Sequence, residues 1–253
     1  MEFKVKKTFL VLFIFSYFTL FSQTFKINDL KSLSYLTIIG FIDISNNYFD
    51  KQIIADLNEK DLEYISKNDV PFFDRIAFQK YSLKLKHYSD YAVYLTIVSL
   101  IIVYNKEYFR TNLLVYSEVL LTQSAIAKWT KTIAKRKRPF VYDKNVSDKK
   151  KNERNSQHSF YSMHSSTAFA SATFAYYYYL DNWGKNIPIA FLLYGSATAS
   201  AALRVVSENH FPSDVLAGAI VGTTIGYLIC KYHDSKKIKI RLSYNKLELN
   251  FPF

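Results

Sequence analysis

Two apolar segments near the end of the chain, Ile187–Leu203 and Val215–Cys230, are joined by the short stretch "RVVSENHFPSD". This arrangement limits the fold more than any other feature. Runs of that length, rich in aliphatic and small residues and without two-residue alternation, read as helices. Pro212 and Ser213 mark the start of the second one. That helix carries Gly218, Gly222 and Gly226 at four-residue spacing, and the one before it carries "GSATASAA" from Gly195 to Ala202. Small residues on one face let backbones approach closely, so these two helices are expected to pack antiparallel against each other. Further helices are expected at about 91–104, about 111–135 and about 165–182, which makes the chain an all-α helical bundle. The tail "KIKIRLSYNKLELNFPF" alternates apolar and polar residues around Tyr244 and Asn245, the pattern of a short C-terminal β-hairpin.

At 253 residues the chain has room for one large domain. The expected organisation is a signal peptide or N-terminal anchor over 1–22, and an N-terminal helical or irregular segment over 23–90 that packs on the core. The core itself is read over 91–235 and the hairpin tail over 236–253. Residues 1–22 have a basic start at Lys4, Lys6 and Lys7, an apolar run from Phe9 to Phe21 and then Ser22, the layout of an export signal or an uncleaved anchor. Between the expected helices at 111–135 and 165–182 lies the polar loop "FVYDKNVSDKKKNERNSQHSF", a lid or a solvated excursion.

The single cysteine, Cys230, excludes an intramolecular disulfide and a CxxC metal framework. A formal net charge of +12 points to anionic partners. The run Lys135–Arg138, "KRKR", could serve nucleic acid, but an export signal argues against that partner and for phosphorylated small molecules or anionic lipids. The apolar segments lie at or below the roughly 20 residues a membrane span needs. Together with the tyrosines at 176–179 they lean toward membrane association. Nothing in the sequence bears on oligomeric state.

Three groups of ionisable residues interrupt this apolar pattern. Lys131 and Arg138 stand seven residues apart in "KTIAKRKRP", close to two helical turns, so both cations can face one side roughly 10 Å apart along the axis. Ser162 and His164 stand in "YSMH", just before a helix rich in small residues, whose unpaired first-turn N–H groups suit an anion. Arg204, His210 and Asp214 form the third group, with His210 at the mouth of the last helix and Asp214 in its first turn. Cations, two histidines, a carboxylate and a helix start make an anion pocket with acid–base groups attached, suited to binding and breaking a phosphate ester.

In order and spacing these segments resemble the tripartite signature of the type 2 phosphatidic acid phosphatase (PAP2) family, written KxxxxxxRP, PSGH and SRxxxxxHxxxD. The same superfamily includes bacterial non-specific acid phosphatases and vanadium haloperoxidases. The resemblance covers roughly residues 90 to 232. The chain departs from the pattern at Tyr161, Met163 and Leu203, where proline, glycine and serine are usual, which implies an altered pocket.

The resemblance implies a phosphoric ester hydrolase that needs no metal or cofactor. It makes His210 the nucleophile, carrying a phosphohistidine. Asp214 would bond the other ring nitrogen of His210, and His164 would protonate the leaving oxygen and then activate water. Lys131, Arg138, Ser162, Met163 and Arg204 would hold the phosphate oxygens. The expected substrates are phosphomonoesters or diphosphates, above all of envelope lipids, at a periplasm-facing site in the cell envelope. Alternatives are a soluble periplasmic non-specific acid phosphatase, a vanadium-dependent haloperoxidase and a catalytically weak binder of anionic lipid. Added vanadate separates them, because it inhibits a phosphatase, activates a peroxidase and leaves a binder unaffected.

Overall fold

A computed structural model describes residues 23–98, 104–235, 239–243 and 246–250. The export signal or anchor read over 1–22 lies outside the described residues. Six long helices build the described body: α1 (Asp29–Ile53), α2 (Leu83–Val98), α3 (Phe109–Ala134), α4 (Met163–Trp183), α5 (Ile187–Val206) and α6 (Pro212–His233). The fold is all-α. At its end, strands Lys239–Ser243 and Lys246–Asn250 pair antiparallel with Ile240 opposite Leu249, the expected hairpin; its turn residues, Tyr244 and Asn245, lie outside the described residues.

Local chemistry sets the helix ends. The Asn28 side chain accepts the Lys31 amide and starts α1, and the Asn186 side chain accepts the Ile189 amide and starts α5 with Pro188 in its first turn. Gly184 ends α4 at φ 79°, a conformation that costs glycine little. Lys135 ends α3 in the left-handed region at φ 47° and turns the chain sharply, so that Arg136 and Arg138 fold back toward the bundle.

Helix α6 packs against α4, which corrects the expectation that its glycine face meets α5. A methyl group on Gly222 would overlap the Ser166 carbonyl, and one on Gly226 would lie 3.0 Å from the Ala170 carbonyl oxygen. The partner face is the serine- and alanine-rich start of α4, where Ser165, Ser166 and Ala170 are all buried. Helix α5 turns Leu193, Ala197, Ser200 and Ala201 inward, and Leu193 and Ala197 share a cluster with Val93 of α2 and with Ala168, Ala172 and Ala175 of α4. Both small-residue runs are interfaces, but each has a different neighbour from the one expected. Spacing reveals a close-packing face without naming what packs on it.

Residues 23–90 hold more helix than short irregular pieces. Helix α1 runs for 25 residues, and it buries Ser32, Asp43 and Asn46 while Leu30, Ile38, Phe41 and Ile44 face outward. Its inner side is joined to α3 by polar contacts. Asp43 meets Lys128 at 2.5 Å, Asn46 donates to Thr132 at 3.0 Å, and Thr132 donates to Asp50 at 2.6 Å. Periodicity reasoning looks for an apolar inner face, so a helix with its polar face inward is easily missed. Helix α2 likewise starts earlier than expected, because its first turn, "LKLK", is basic.

Replacement of Gly222 by alanine is expected to destabilise the fold by about 1–3 kcal/mol, the usual cost of overpacking. The same change at Gly195, which has nothing within 4 Å of the new methyl, should be neutral or slightly stabilising. Chemical denaturation of both variants checks this, and equal effects would contradict the α4–α6 contact.

Candidate active site

The site forms where the C-terminal end of α3, the N-terminal ends of α4 and α6 and the α5–α6 loop come together. His210 lies in that loop, almost fully buried, and its backbone amide donates to the Arg204 carbonyl at 3.1 Å. Its Nδ1 lies 2.8 Å from the Ser159 carbonyl oxygen. A carbonyl only accepts, so Nδ1 carries the proton and Nε2 keeps its lone pair. Nε2 stands 3.5 Å from Nη1 of Arg138. Burial depresses the His210 pKa well below its ordinary value, and the nearby cations Arg138, Lys131 and Arg204 push it the same way. The ring is therefore neutral around pH 7, and Nε2 is available as a nucleophile.

Asp214 does not hydrogen-bond the His210 ring as the resemblance implied. Its Oδ2 is 3.7 Å from Nδ1, and Ser159 supplies the closer partner. The carboxylate accepts instead from the Phe211 amide at 2.8 Å, from Ser159 Oγ at 2.5 Å and from Arg136 Nη1 at 2.6 Å. It thereby caps α6 and fixes both ends of the contact that holds the imidazole. Ser159 is a hub of this arrangement: its amide donates to the Arg136 carbonyl at 2.9 Å, its hydroxyl donates to Asp214, and its carbonyl accepts from His210.

The three expected cations sit around this core. Arg138 is buried, donating from Nε to the Asn155 carbonyl at 2.9 Å, from Nη2 to Asn155 Oδ1 at 3.0 Å and from Nη1 to the Asn209 carbonyl at 3.2 Å. Lys131 donates to the His158 carbonyl at 2.7 Å, next to the residue that holds His210. Arg204 donates from Nη1 to Ser89 Oγ at 3.2 Å, and its buried Nε has no hydrogen-bond partner. A buried guanidinium N–H without an acceptor is costly, and an anion in the site would remove that cost.

At the start of α4 the chemistry is divided. The Ser162 amide donates to the Asp214 carbonyl at 3.0 Å, and its buried hydroxyl accepts the Ser165 amide at 3.3 Å. Ser162 therefore shapes the helix start and ties α4 to α6. The amides of Met163 and His164 open the helix and have no intrahelical acceptor, as at any helix start. Met163 is half-buried where the signature has glycine, while Tyr161, in the proline position, is buried with its hydroxyl unpaired. His164 lies with Nε2 2.8 Å from Oδ1 of Asp90.

Several residues here were not singled out from the sequence. Arg136, read only as part of a basic run, donates to Asp214 and to Asp74, the latter at 2.6 Å, and lies 4.4 Å over the Phe211 ring. Asp74, 1% exposed, also accepts the Ser213 amide at 2.9 Å. Asp90 and Asp74 fall in the segment whose function the sequence left unread. Neither has a spacing signal, because each reaches the site from a separate element. Among the described residues no three His, Cys, Asp or Glu side chains are grouped as metal ligands would be. The donors gathered here suit a tetrahedral oxyanion.

With this geometry in place, residues 112–238 match the PAP2 superfamily, and the chain belongs to it. It is thereby a phosphoric ester hydrolase of the PAP2 type. No curated protein matches the sequence. Among solved structures, the chain is similar to Aquifex aeolicus LpxE, with 20% identity over 66% of this chain and 100% of that one, at a TM-score of 0.46. It is also similar to the first transmembrane PAP2 type phosphatidylglycerolphosphate phosphatase from Bacillus subtilis, with 17% identity over 80% of this chain and 95% of that one, at a TM-score of 0.41.

Glu208, between Arg204 and His210, is buried in the left-handed region at φ 58°, and its Oε2 has no hydrogen-bond partner. Burial, reinforced by Asp143, pushes its carboxyl up from 4.5 to about 7. A raised carboxyl pKa means that the folded chain holds a proton the unfolded chain has released. Stability linked to Glu208 is thus complete below about pH 4.5 and is lost as pH rises through about 7. Glu208→Gln should raise the melting temperature at pH 8 relative to wild type and leave it nearly unchanged at pH 4.5. Melting curves at the two pH values check this.

Proposed function

We propose that this chain is a membrane-bound phosphatase that hydrolyses phosphomonoesters or diphosphates of envelope lipids through a phosphohistidine on His210. The observation that carries the reading is the buried His210 ring, its proton tied to the Ser159 carbonyl and its Nε2 lone pair set beside Arg138 among three cations. In the first step Nε2 attacks phosphorus, the bond to the leaving oxygen breaks, and a protonated His164 gives that oxygen its proton. The His210 ring becomes cationic, and the Ser159 carbonyl, backed by Asp214, stabilises it. In the second step water attacks phosphorus, gives a proton to His164, and the P–N bond breaks to release phosphate. Lys131, Arg138, Arg204 and the first amides of α4 take the charge on the phosphoryl oxygens.

The lipid part of the reading rests on the outward faces of the helices. Phe41 of α1 and Phe191 of α5 are 74% and 79% exposed, whereas the inner side of α1 is polar. An apolar exterior around a polar interior suits lipid as the solvent. Helices α5 and α6 are long and apolar enough to cross a bilayer, and α1 and α3, at 25 and 26 residues, have the length. Purified protein should then cleave lipid phosphates faster than soluble alkyl phosphates. Equal rates would leave a non-specific phosphatase, and peroxidase activity appearing with vanadate would overturn the reading.

The two histidines should fail differently. His210→Ala should form no phosphoenzyme from any ester. His164→Ala should still be phosphorylated by an activated aryl phosphate, while its turnover of alkyl esters falls by about 10²–10⁴-fold. Rapid-quench trapping of acid-labile phosphate separates the roles, and label retained by His210→Ala would refute the assignment.

A further inference from the structure

Asp90 stands outside all three signature segments, on α2, before the residues that match the family. Its carboxylate nevertheless lies between two of them. Oδ1 is 2.8 Å from Nε2 of His164 and 3.3 Å from Nη1 of Arg204. Oδ2 meets Lys86 at 3.0 Å and His87 at 3.8 Å, both from its own helix. Its neighbour Ser89 takes the same Arg204 nitrogen through its hydroxyl at 3.2 Å, and the Ser89 carbonyl accepts from Ser200 at 3.3 Å.

We infer that Asp90 is a positioning residue that sets the proton of His164 and the presented edge of Arg204 together. This rests on the phosphatase reading above. The carboxylate only accepts, so it fixes the His164 proton on Nε2, and Nδ1 is the nitrogen left to exchange a proton with substrate. Burial holds the His164 pKa down to about 4, and the Asp90 carboxylate on one ring nitrogen works against that shift, toward the imidazolium that can donate from Nδ1–H to a leaving oxygen. On the other side, Asp90 and Ser89 occupy Nη1 of Arg204. That leaves the edge formed by Nε and Nη2, and Nε is the buried, unpartnered nitrogen. Two parallel N–H groups on one edge match two oxygens of a phosphoryl group. One residue of α2 thus couples the acid to the anion clamp.

The coupling predicts a loss that depends on the leaving group, which damage to packing alone would not give. Asp90→Asn keeps the size of the side chain and removes the charge. Its kcat on alkyl phosphates should fall about 10²-fold, a general-acid loss, while phosphorylation of His210 by an activated aryl phosphate should fall less than about tenfold, because that ester needs no acid. Asp90→Glu should lie between wild type and Asp90→Asn, with the same order of substrates. If Asp90→Asn does not fold, the Asp90→Glu comparison decides. A loss equal across leaving groups in the folded variant, or no loss, overturns the proposal. Failure of the underlying reading would look different, as wild-type protein that forms no phosphoenzyme or a His210→Ala variant that still turns over.

Discussion

The contact on which the site depends is the hydrogen bond from His210 Nδ1–H to the Ser159 carbonyl. It fixes the tautomer, with the proton on Nδ1 and the lone pair on Nε2. Ser159 can hold that position because its amide and hydroxyl are tied to the Arg136 carbonyl and to Asp214. Arg136 in turn reaches Asp74, and Asp74 holds Ser213 at the start of α6. A chain of charged and neutral bonds thus runs from the turn after Pro71 through the end of α3 to His210. Buried networks of this kind are strong when every member is satisfied and costly when one is lost.

A second constraint is the cost of burying cations. Arg138 and Arg204 are almost fully buried. Carbonyls of the 154–160 loop and of Asn209 accept from Arg138 and Lys131, while Asp90 and Ser89 accept from Arg204. The unpaired Nε of Arg204 leaves part of the cation's hydrogen-bonding capacity unused. An anion binding there gains from charges whose desolvation was met when the chain folded, the general advantage of a preorganised site. The close approach of α4 and α6 at Gly222 belongs to the same design, because it brings the helix start bearing Met163 and His164 next to the loop bearing His210.

Much of this was legible in the sequence where spacing carries meaning. The run from Lys131 to Arg138 and the stretch from Arg204 to Asp214 have fixed intervals, and the last two apolar segments are long enough to declare themselves helices. What escaped was whatever depends on a partner from elsewhere in the chain. The glycine face of α6 was visible, but its neighbour α4 was not. Asp214 was visible, but its preference for Arg136, Ser159 and the Phe211 amide over the His210 ring was not. Helix α1 was hidden because its polar residues face inward, the reverse of the pattern by which surface helices are found. Asp90 and Asp74 belong to no spaced motif and acquire meaning only when α2 and the turn after Pro71 meet the site.

In the proposed mechanism His210 attacks through Nε2 because Nδ1 is held by Ser159. Phosphoenzyme formed from an activated ester, quenched in base and studied by phosphorus–nitrogen NMR on histidine-labelled protein, reports which ring nitrogen bears the phosphoryl group. The expected phosphoenzyme carries phosphate on Nε2 of His210. Phosphate on Nδ1 of His210, or on His164, would contradict this mechanism.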